Sequence, residues 1–195
     1  MSEYTPHIGV REITTNDGDF LIDMVLEAVN WDRENVTRRG VLSSRQLSRY
    51  ATGWGRQGDL GLVAIDLDGP QGLQIPIGAA WIRYFASHEP GYGFLEPGVP
   101  ELSLSIVPGR RRLGIGRALL SYLMARAQEN GVARVSLSVA RANPAVHLYE
   151  QAGFAVVEGA ATETETTVTM VADLAQFRGG PSSPNSSSGV ASTSA

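Results

Sequence analysis

The sequence has 195 residues, with 16 cationic and 20 anionic side chains that give a formal net charge of −4 at pH 7. A chain of this length buries about 70% of its unfolded surface, so it needs neither a metal nor a disulfide to hold it together. It contains no cysteine, which excludes disulfide scaffolds, cysteine-ligated zinc, iron–sulfur clusters and a cysteine nucleophile. Its three histidines, His7, His88 and His147, lie far apart in the sequence, so no metal site is expected.

The charge and the hydropathy pattern also bear on partners and location. A negative net charge gives no bulk attraction to nucleic acid or to an anionic membrane. The N-terminal residues lack the basic and apolar regions of a secretory signal, and no apolar window is long enough for a membrane span. We therefore expect a cytoplasmic protein with neither nucleic acid nor membrane among its partners.

Strand-like and helix-like patterns alternate along the chain. Residues 7–14 are predicted to form a strand, and Asn16 or Asp17 can cap a helix that runs to about Trp31. A second helix is predicted over 44–51. The later elements are predicted in this order: strands at 60–67, 75–85 and 101–107, a helix at about 115–129, a strand at 133–140, a helix at 144–151, and strands at 154–158 and 166–172. This order predicts a mixed α/β protein with several neighbouring strands in its first half.

The composition of the chain changes after Phe177. Residues 178–195 include seven serines, three glycines, two prolines and one charged residue, Arg178. Such a segment has too little apolar surface to offset the entropy lost on ordering. We predict a single domain over residues 1–177 and a disordered Ser/Gly-rich tail over residues 178–195.

The segment after the 101–107 strand has the features of an anion-binding site. Gly114 and Gly116 lie where this strand gives way to a helix, and glycine lets a backbone approach a ligand closely. The first N–H groups of a helix have no partner within it and lie at the positive end of its dipole. Residues 108–126 also contain five arginines and no acid. Together these features favour binding of a pyrophosphate.

Other interpretations of this segment have different requirements. A dinucleotide-binding G-x-G-x-x-G motif is excluded because Leu119 occupies the third glycine position, and a nucleotide-hydrolase phosphate loop needs a lysine, which the chain lacks. A tight turn with solvated arginines remains open. An arginine-rich nucleic-acid site would bind with steep salt dependence, and the acidic charge of the whole chain argues against it.

Two segments resemble motifs of one known family. Arg111, Gly114 and Gly116 follow the pattern [QR]-x-x-G-x-[GA], which marks acetyl-CoA binding in the GCN5-related N-acetyltransferase (GNAT) superfamily. Asn143 begins the segment NPAVHLYEQAGF, which is similar to the N-P-A-x-x-L-Y-E-x-x-G-F segment of that superfamily. The two motifs also occur in the expected order, with a strand, a loop, a helix and another strand between the first and the second.

The resemblance is clear over residues 101–158 and follows the element order over residues 7–175. It implies an α/β fold of the α+β type, with a mixed central sheet of six to seven strands and about four flanking helices. Two strands would splay at the CoA site. The arginine loop departs from the commoner R-G-x-G form, because Arg112 stands where glycine is usual.

The resemblance implies an acetyl-CoA-dependent N-acetyltransferase that moves the acetyl group to a primary amine by direct attack in a ternary complex. Acetyl-CoA would be the co-substrate and no metal would take part. The residues that the resemblance assigns to its binding are Ile106, Val107, Arg111, Arg112, Leu113, Gly114, Ile115, Gly116, Arg117 and Asn143. An N–H near Ile106 would polarise the thioester carbonyl, and Asn143 would bond the pantetheine arm or order the site.

The resemblance also points to two catalytic residues. Tyr149 would protonate the departing thiolate, since a phenol with a pKa of about 10 is protonated at neutral pH; an aromatic ring that only packs is the alternative. A base is needed because an amine is mostly protonated at neutral pH. Glu101 opens the strand that leads to the thioester, so it could act directly or through a water. An acid at a strand edge or in an ion pair, with water as the base, remains open.

The sequence defines the acceptor less well. Aromatic residues occur in and near the segments that form the acceptor pocket in this superfamily, although each could simply pack in the core: Trp31, Trp54, Trp81, Tyr84, Tyr92 and Phe94. The 158–165 segment has three glutamates and no cation, which suits either a solvated loop or a cationic acceptor. We expect a small-molecule or peptide amine as the acceptor and a monomer or homodimer. The functional alternative is a catalytically inactive CoA-binding GNAT module with a regulatory or ligand-sensing role.

Overall fold

The computed structural model describes residues 7–177, and the predicted 178–195 tail lies outside them. The described residues form one seven-stranded sheet with helices packed on it. The strands are β1 Ile8–Glu12, β2 Leu60–Asp66, β3 Ile75–Arg83, β4 Glu101–Ile106, β5 Arg134–Ala140, β6 Ala155–Val156 and β7 Thr167–Asp173. The helices are α1 Gly18–Val29, α2 Arg38–Ser43, α3 Arg45–Ser48, α4 Ile115–Glu129 and α5 Ala145–Gln151. The mixed sheet of six to seven strands that the resemblance implies is confirmed.

The strands are arranged in the order β1-β2-β3-β4-β5-β7-β6. The first four are sequential and antiparallel, and β7 pairs antiparallel with both β5 and β6. β4 and β5 run parallel because α4 crosses from the end of one to the start of the other. Their register contains a single pair, Glu101 with Ser136, next to which the Ser136 N–H donates to the carbonyl of Pro100 at 3.0 Å.

A larger hydrophobic core covers the face of the sheet that carries α4. Leu119, Leu123 and Met124 of this helix recur at intervals of one to four residues and pack with Leu137 of β5 and Met170 of β7. The core also includes buried residues of β2, β3 and β4. This core therefore connects strands from both halves of the sheet, because all of them pack against the same helix, α4.

A second core covers the opposite face, which carries α1. Leu21 and Met24 of α1 pack with Val63 of β2 and Trp81 of β3. No buried residue of this core comes from β5, β6 or β7. On this face β5 carries a buried hydroxyl, Ser136, because alternate residues of a strand point to opposite faces.

Most predicted elements match the structure to within two residues at each end, and the predicted 115–129 helix coincides with α4. The predicted 44–51 helix differs, because two short helices, α2 and α3, meet at Ser44. The Ser44 hydroxyl accepts a hydrogen bond from the Leu47 N–H at 3.2 Å and so starts α3. Only Val41 of α2 is buried, so the apolar periodicity that reveals a helix is missing there. Within residues 7–177, none of the helices combines the length and the apolar character needed to cross a bilayer.

Candidate functional site

The main feature of the site is the unpaired stretch between β4 and β5. After the single pair at Glu101 and Ser136, the two strands continue without further pairing. Each strand is bonded on its other side, β4 to β3 and β5 to β7. The facing edges therefore retain backbone groups that can bond an extended ligand as an added strand.

The backbone of Ile106 points into this gap. The N–H of Val107 donates to the carbonyl of Ile77 in β3 at 3.0 Å, and successive residues of a strand direct their N–H groups to opposite sides. The Ile106 N–H therefore points toward β5, and its carbonyl on the same side accepts a hydrogen bond from Nε of Arg111 at 3.0 Å. The Val107 carbonyl accepts from the Arg110 N–H at 2.9 Å. Both backbone groups of Val107 are thus engaged, and only its side chain remains for a ligand.

The loop after β4 leads into the N-terminus of α4. Gly114 precedes the helix with a φ of 79°, in the left-handed region that favours glycine. The N–H groups of Ile115, Gly116 and Arg117 belong to the first turn, which offers them no partner, and no other described backbone group accepts from them. No acidic side chain lies in this turn. The turn therefore presents free donors and a positive dipole end, which suit phosphate oxygens.

The lack of a side chain at Gly116 keeps this turn close to the gap. A Cβ built there would lie 3.8 Å from the side chains of Leu104 and Ile106 on β4 and of Leu148 on α5. These are ordinary contacts, so an alanine fits, as the [GA] position of the motif allows. A longer side chain would extend into the space between β4 and α5.

Two arginines tie the loop to the rest of the protein. Arg111 forms an ion pair with Glu27 of α1, with 2.8 Å between its guanidinium nitrogen and the carboxylate oxygen. Arg110 pairs with the buried Asp66 at the end of β2. Arg111 therefore connects α1, the loop and the carbonyl of Ile106, and it keeps the end of β4 in place.

The other predicted binding residues of this loop differ in exposure. Arg112 has a φ of 64°, so a non-glycine residue adopts the left-handed backbone at the position where glycine is usual. Leu113 is 53% exposed, whereas Ile115 is buried in the α4 core, so only the backbone of Ile115 can contact a ligand. Arg117 donates to Gln151 of α5 at 2.5 Å. Arg112 and Arg117 leave positive charge beside the first turn of α4.

α5 carries two further predicted residues. Tyr149 is buried in the α4-face core, with 5.8 Å between the centroids of its ring and that of Phe154. Burial raises the pKa of the Tyr149 phenol above its ordinary value, and its hydroxyl has no hydrogen-bond partner among the described residues. Oδ1 of Asn143 accepts from the Ala145 N–H at 2.9 Å, which orders the start of α5. Tyr149 therefore remains protonated near neutral pH.

Glu101 lies at the closed end of the gap, on the α1 face, and is 3% exposed. Its Oε1 accepts a hydrogen bond from the Tyr50 hydroxyl at 2.6 Å, which in turn accepts from the Tyr92 N–H at 2.6 Å. Its Oε2 has no hydrogen-bond partner among the described residues. Burial raises the pKa of Glu101 to about 7, against the opposing effects of the Tyr50 hydroxyl, the nearby Gly93 N–H and the charge of Arg49. The Gly93 N–H lowers this pKa without making a hydrogen bond of ordinary geometry. A carboxyl group with a near-neutral pKa and a free oxygen has the properties of a general base.

Residues 91–94, with the sequence GYGF, form a loop over this carboxylate, which we call the 91–94 loop. A Cβ built at Gly91 would overlap Oε2 of Glu101, and one built at Gly93 would lie 2.6 Å from the backbone nitrogen of Ser138 in β5. Both positions therefore need glycine, because the loop backbone lies directly against the Glu101 carboxylate and against β5. The loop covers the gap where β4 and β5 separate.

The aromatic residues predicted near the acceptor pocket lie in different environments. The six residues are Trp31, Trp54, Trp81, Tyr84, Tyr92 and Phe94. Trp81 is fully buried and donates to the Tyr50 carbonyl at 2.9 Å, and Trp54 donates to the carbonyl of Ile13 at 3.3 Å, so both are structural. Trp31 lies just after α1, and Tyr84 is 36% exposed. Tyr92 stacks on Tyr50, with 6.1 Å between ring centroids, and belongs with Phe94 to the 91–94 loop. Of these six residues, Tyr92 and Phe94 are the two that lie in the loop over Glu101.

The acidic 158–165 segment is partly neutralised. Glu163 pairs with Arg141 and accepts from the Gly159 N–H at 3.2 Å. Its carboxylate therefore orders the segment, and it is not free to attract a cation. Within residues 7–177, no group of three or more His, Asp or Glu side chains is placed to hold a metal ion.

Tyr50 is the residue of this site that the sequence analysis did not identify. It lies 51 residues before Glu101 in the chain and just after the short helix α3. No motif surrounds it, and its role depends on a contact between distant segments. The two glycines of the 91–94 loop were the only local sign of close packing in this region.

Comparisons with known proteins agree with this geometry. The model of the acetyltransferase (GNAT) family matches residues 28–154, which is more than half of the chain. The chain therefore belongs to the GNAT acetyltransferase family. Among curated protein sequences, none matches it.

Solved structures share the fold at low sequence identity. YncA of Salmonella typhimurium, solved with its cofactor acetyl-CoA, is 20% identical with a TM-score of 0.59, over 88% of this chain and 96% of that one. The PaiA N-acetyltransferase of Thermoplasma acidophilum, in complex with coenzyme A, is 19% identical with a TM-score of 0.59, over 86% and 99%. A ribosomal-protein-alanine N-acetyltransferase of Brucella melitensis is 22% identical with a TM-score of 0.60, over 85% and 99%. At these identities the likeness concerns the fold.

Proposed function

We propose that this chain is an acetyl-CoA-dependent N-acetyltransferase that moves the acetyl group from the CoA thioester to a primary amine by direct attack in a ternary complex. The observation that supports this most is that the free edges of β4 and β5 lead to the unpaired N–H groups of α4. An extended, amide-bearing arm suits such edges, and a pyrophosphate suits the helix start. CoA combines both groups in one molecule. The expected location in the cytoplasm remains part of this proposal.

The chain's backbone carries most of the binding. Acetyl-CoA supplies the acetyl group as an activated thioester. The Ile106 N–H, which points into the gap, donates to the thioester carbonyl and stabilises the negative charge that develops there. The N–H groups of Ile115, Gly116 and Arg117 bind the pyrophosphate, and the Arg112 side chain adds positive charge. Asn143 contributes by holding α5 beside the gap.

The acid and the base approach the gap from opposite faces of the sheet. Glu101 belongs to the α1 face, and its Oε2 takes a proton from the acceptor ammonium so that the amine can attack. Tyr149 belongs to the α4 face, and it gives its proton to the departing thiolate. This division keeps the two groups apart, so that the base does not take the proton of the acid.

The acceptor enters on the α1 face, because the base lies there. The neighbouring elements are the turn after α3 and the 91–94 loop, which carry Tyr50, Tyr92 and Phe94. The acceptor is a small-molecule or peptide amine, and a monomer or homodimer is compatible with such a site. The partial neutralisation of Glu163 weakens the case for an acceptor selected by the 158–165 segment.

A panel of amines with acetyl-CoA tests this function. The panel contains aliphatic amines, free amino acids, peptides with a free α-amine, and N-terminally blocked peptides with one lysine. Turnover is measured as thiol release and confirmed by the added mass of one acetyl group on the amine. The chain has no lysine, so none of its own side chains competes as an amine acceptor. Thiol release that depends on one class of amine is the expected result, and Glu101→Gln is expected to slow it most between the pKa of Glu101 and that of the acceptor amine, where the carboxylate is ionised and the amine is still protonated.

The same panel separates the enzyme from an inactive CoA-binding module. A chain that is stabilised by CoA but releases no thiol with any amine contradicts the proposed transfer. Thiol release at the same rate with and without amines indicates thioester hydrolysis, which contradicts an amine acceptor.

A further inference from the structure

The two carboxylate oxygens of Glu101 have different hydrogen-bonding environments. Oε1 accepts the Tyr50 hydroxyl at 2.6 Å, whereas Oε2 has no hydrogen-bond partner among the described residues. A buried carboxylate oxygen without a partner is costly to maintain. Such an arrangement is expected where a proton or a ligand occupies the free position during function.

The direction of the Tyr50 hydroxyl proton follows from its other neighbour. The backbone N–H of Tyr92 lies 2.6 Å from the Tyr50 oxygen and can only donate. Tyr50 therefore accepts from Tyr92 and has its single proton left for Oε1 of Glu101. Burial and the charge of Glu101 raise the pKa of Tyr50 well above its ordinary value, so this proton stays on the phenol in the working pH range.

We propose that Tyr50 is a positioning residue that occupies Oε1 of Glu101 and thereby reserves Oε2 for the proton of the acceptor amine. The proposal rests on the acetyltransferase function proposed above. In the step, Oε2 gains one proton from the ammonium, the carboxylate becomes a neutral acid, and the nitrogen keeps the electron pair with which it attacks. Tyr50 keeps its own proton throughout and does not contact the acceptor.

The packing around Glu101 supports this assignment of the two oxygens. Gly91 lies against Oε2, where any Cβ would overlap it and would come within 2.7 Å of the Tyr50 hydroxyl oxygen. The free oxygen thus lies directly under the backbone of the 91–94 loop, so the acceptor proton reaches Oε2 through a water rather than by direct contact. The Tyr50 ring is held by Phe85, with 4.9 Å between the centroids, and by the stacked ring of Tyr92. These two ring contacts and the hydrogen bond from the Tyr92 N–H hold the Tyr50 hydroxyl in place.

The other charged groups near Glu101 do not replace Tyr50. Arg83 is its register partner on β3, but the guanidinium of Arg83 is bound to both carboxylate oxygens of Asp59 at 2.9 and 2.6 Å. Arg49 acts on Glu101 only through its charge and donates to the Pro90 carbonyl at 2.6 Å. β5 faces Glu101 with the uncharged Ser136. Tyr50 is thus the one side chain in the described residues that donates to this carboxylate.

The pH dependence of Tyr50→Phe tests the proposal. The lost hydrogen bond favours the ionised form of Glu101, so its removal raises the pKa of Glu101. The acidic limb of kcat/KM is expected to move upward by about one pH unit, because a hydrogen bond to a charged group is worth at least that much. At pH values below the acidic limbs of both proteins, kcat/KM of Tyr50→Phe is expected to be about tenfold lower than that of wild type. At pH values above both limbs, the two proteins are expected to have equal kcat/KM. A parallel loss at every pH would mean a structural role and would overturn the proposal.

Two further variants complete the activity test. Tyr122→Phe removes a phenol from α4, away from this site, and is expected to leave the limb unmoved. In a Glu101→Gln background, Tyr50→Phe is expected to change kcat/KM by less than twofold, because Tyr50 acts only through Glu101. An undiminished effect in that background contradicts the proposal. If Tyr50→Phe fails to fold, a ring-fluorinated tyrosine at position 50 keeps the ring, strengthens the donor and is expected to move the limb downward; an unmoved limb contradicts the proposal.

A measurement without turnover separates this proposal from the proposed function. The carboxyl carbon of Glu101, assigned by its loss in Glu101→Gln, is followed by NMR from acid to alkaline pH in the intact chain. Its titration is expected at higher pH in Tyr50→Phe than in wild type, whether or not any amine is acetylated. Identical titration curves overturn the pairing of Tyr50 with Oε1. Shifted curves in a protein that acetylates nothing would leave the pairing intact and reject the acetyltransferase.

Discussion

Tyr149 combines an apolar environment with a proton that it holds firmly. Its ring is buried against Phe154, and burial alone raises the pKa of its phenol. In the proposed transfer, such a group is a poor acid in the resting protein and acts only when a thiolate forms next to it. The energetic benefit therefore arises in the transition state, not in CoA binding.

Tyr149→Phe tests this role. The variant keeps the ring and its packing, so we expect an unchanged melting temperature and unchanged CoA affinity. We expect kcat to fall roughly 100-fold, within the range for a positioned general acid. Stopped-flow thiol release at saturating acceptor measures this change. A kcat near the wild-type value would show that the thiolate leaves without this proton and would reject Tyr149 as the acid.

The backbone conformation of Arg112 leads to a second prediction at the scale of single residues. Its φ of 64° places a non-glycine residue in the left-handed region, at a cost of about 1 kcal/mol. Arg112→Gly removes this strain but adds freedom to the unfolded chain, which costs about 0.4–1 kcal/mol, so we expect a net stabilisation of at most about 0.5 kcal/mol. Urea unfolding without CoA measures it. Arg112→Ala loses the same charge and keeps the strain; an equal gain in both variants would contradict the backbone explanation.

At the scale of single elements, the N-terminus of α4 is the most distinctive part of the molecule. Its first turn has free N–H groups and no acidic residue. The Gly116 position has room for a methyl group, but not for a charge of the same sign as the ligand. Substitutions at this one position can therefore distinguish the effect of side-chain size on ligand binding from the effect of side-chain charge.

Gly116→Asp is expected to abolish the thermal stabilisation by CoA, whereas Gly116→Ala retains most of it. CoA at a hundredfold excess over its Kd stabilises the native state by about 2.7 kcal/mol, which a thermal shift assay detects easily. Without CoA, an aspartate in the first turn of a helix is favourable, so Gly116→Asp should fold normally. Equal shifts in the two variants would mean that the pyrophosphate binds elsewhere.

The elements differ in how much of them the sequence reveals. α4 has long apolar periodicity, so its limits and its buried face could be predicted, whereas the anion site at its start stays a prediction. α2 could not, because it is six residues long and buries only Val41. The contact between Tyr50 and Glu101 could not be predicted either, since it depends on a turn after α3 and a loop after β3 meeting in space. Glu101 itself was predicted, because it opens a clear strand.

For the molecule as a whole, two buried carboxyl groups shape the dependence of stability on pH. The pKa of Glu101 is raised to about 7, so the folded state holds this proton where the unfolded state has lost it. Its contribution is greatest at low pH and declines as the pH rises from about 4.5 to 7. Asp17 has the opposite sign, because its hydrogen bond to Arg11 lowers its pKa to about 2. Its contribution is complete above about pH 4 and is lost below it.

These signs predict a free energy of unfolding that is highest near pH 5 and lower at pH 8. The difference due to Glu101 is about 3 kcal/mol. Urea unfolding of the CoA-free protein across this range measures it. Glu101→Gln cannot ionise at this position and is expected to lose the decline. An equally steep decline in that variant would assign the effect to other groups.

The seven-stranded sheet divides into two halves that share one joint. β1 to β4 are bonded to one another and lie within residues 8–106, whereas β5 to β7 are bonded to one another and lie within residues 134–173. Each half is thus encoded by a continuous stretch of sequence, and α4 is encoded between them. During synthesis on a ribosome, the first half and its α1-face core have all their residues before the second half is made. The cleft between β4 and β5 therefore lies where a part of the chain that is made early meets a part that is made late.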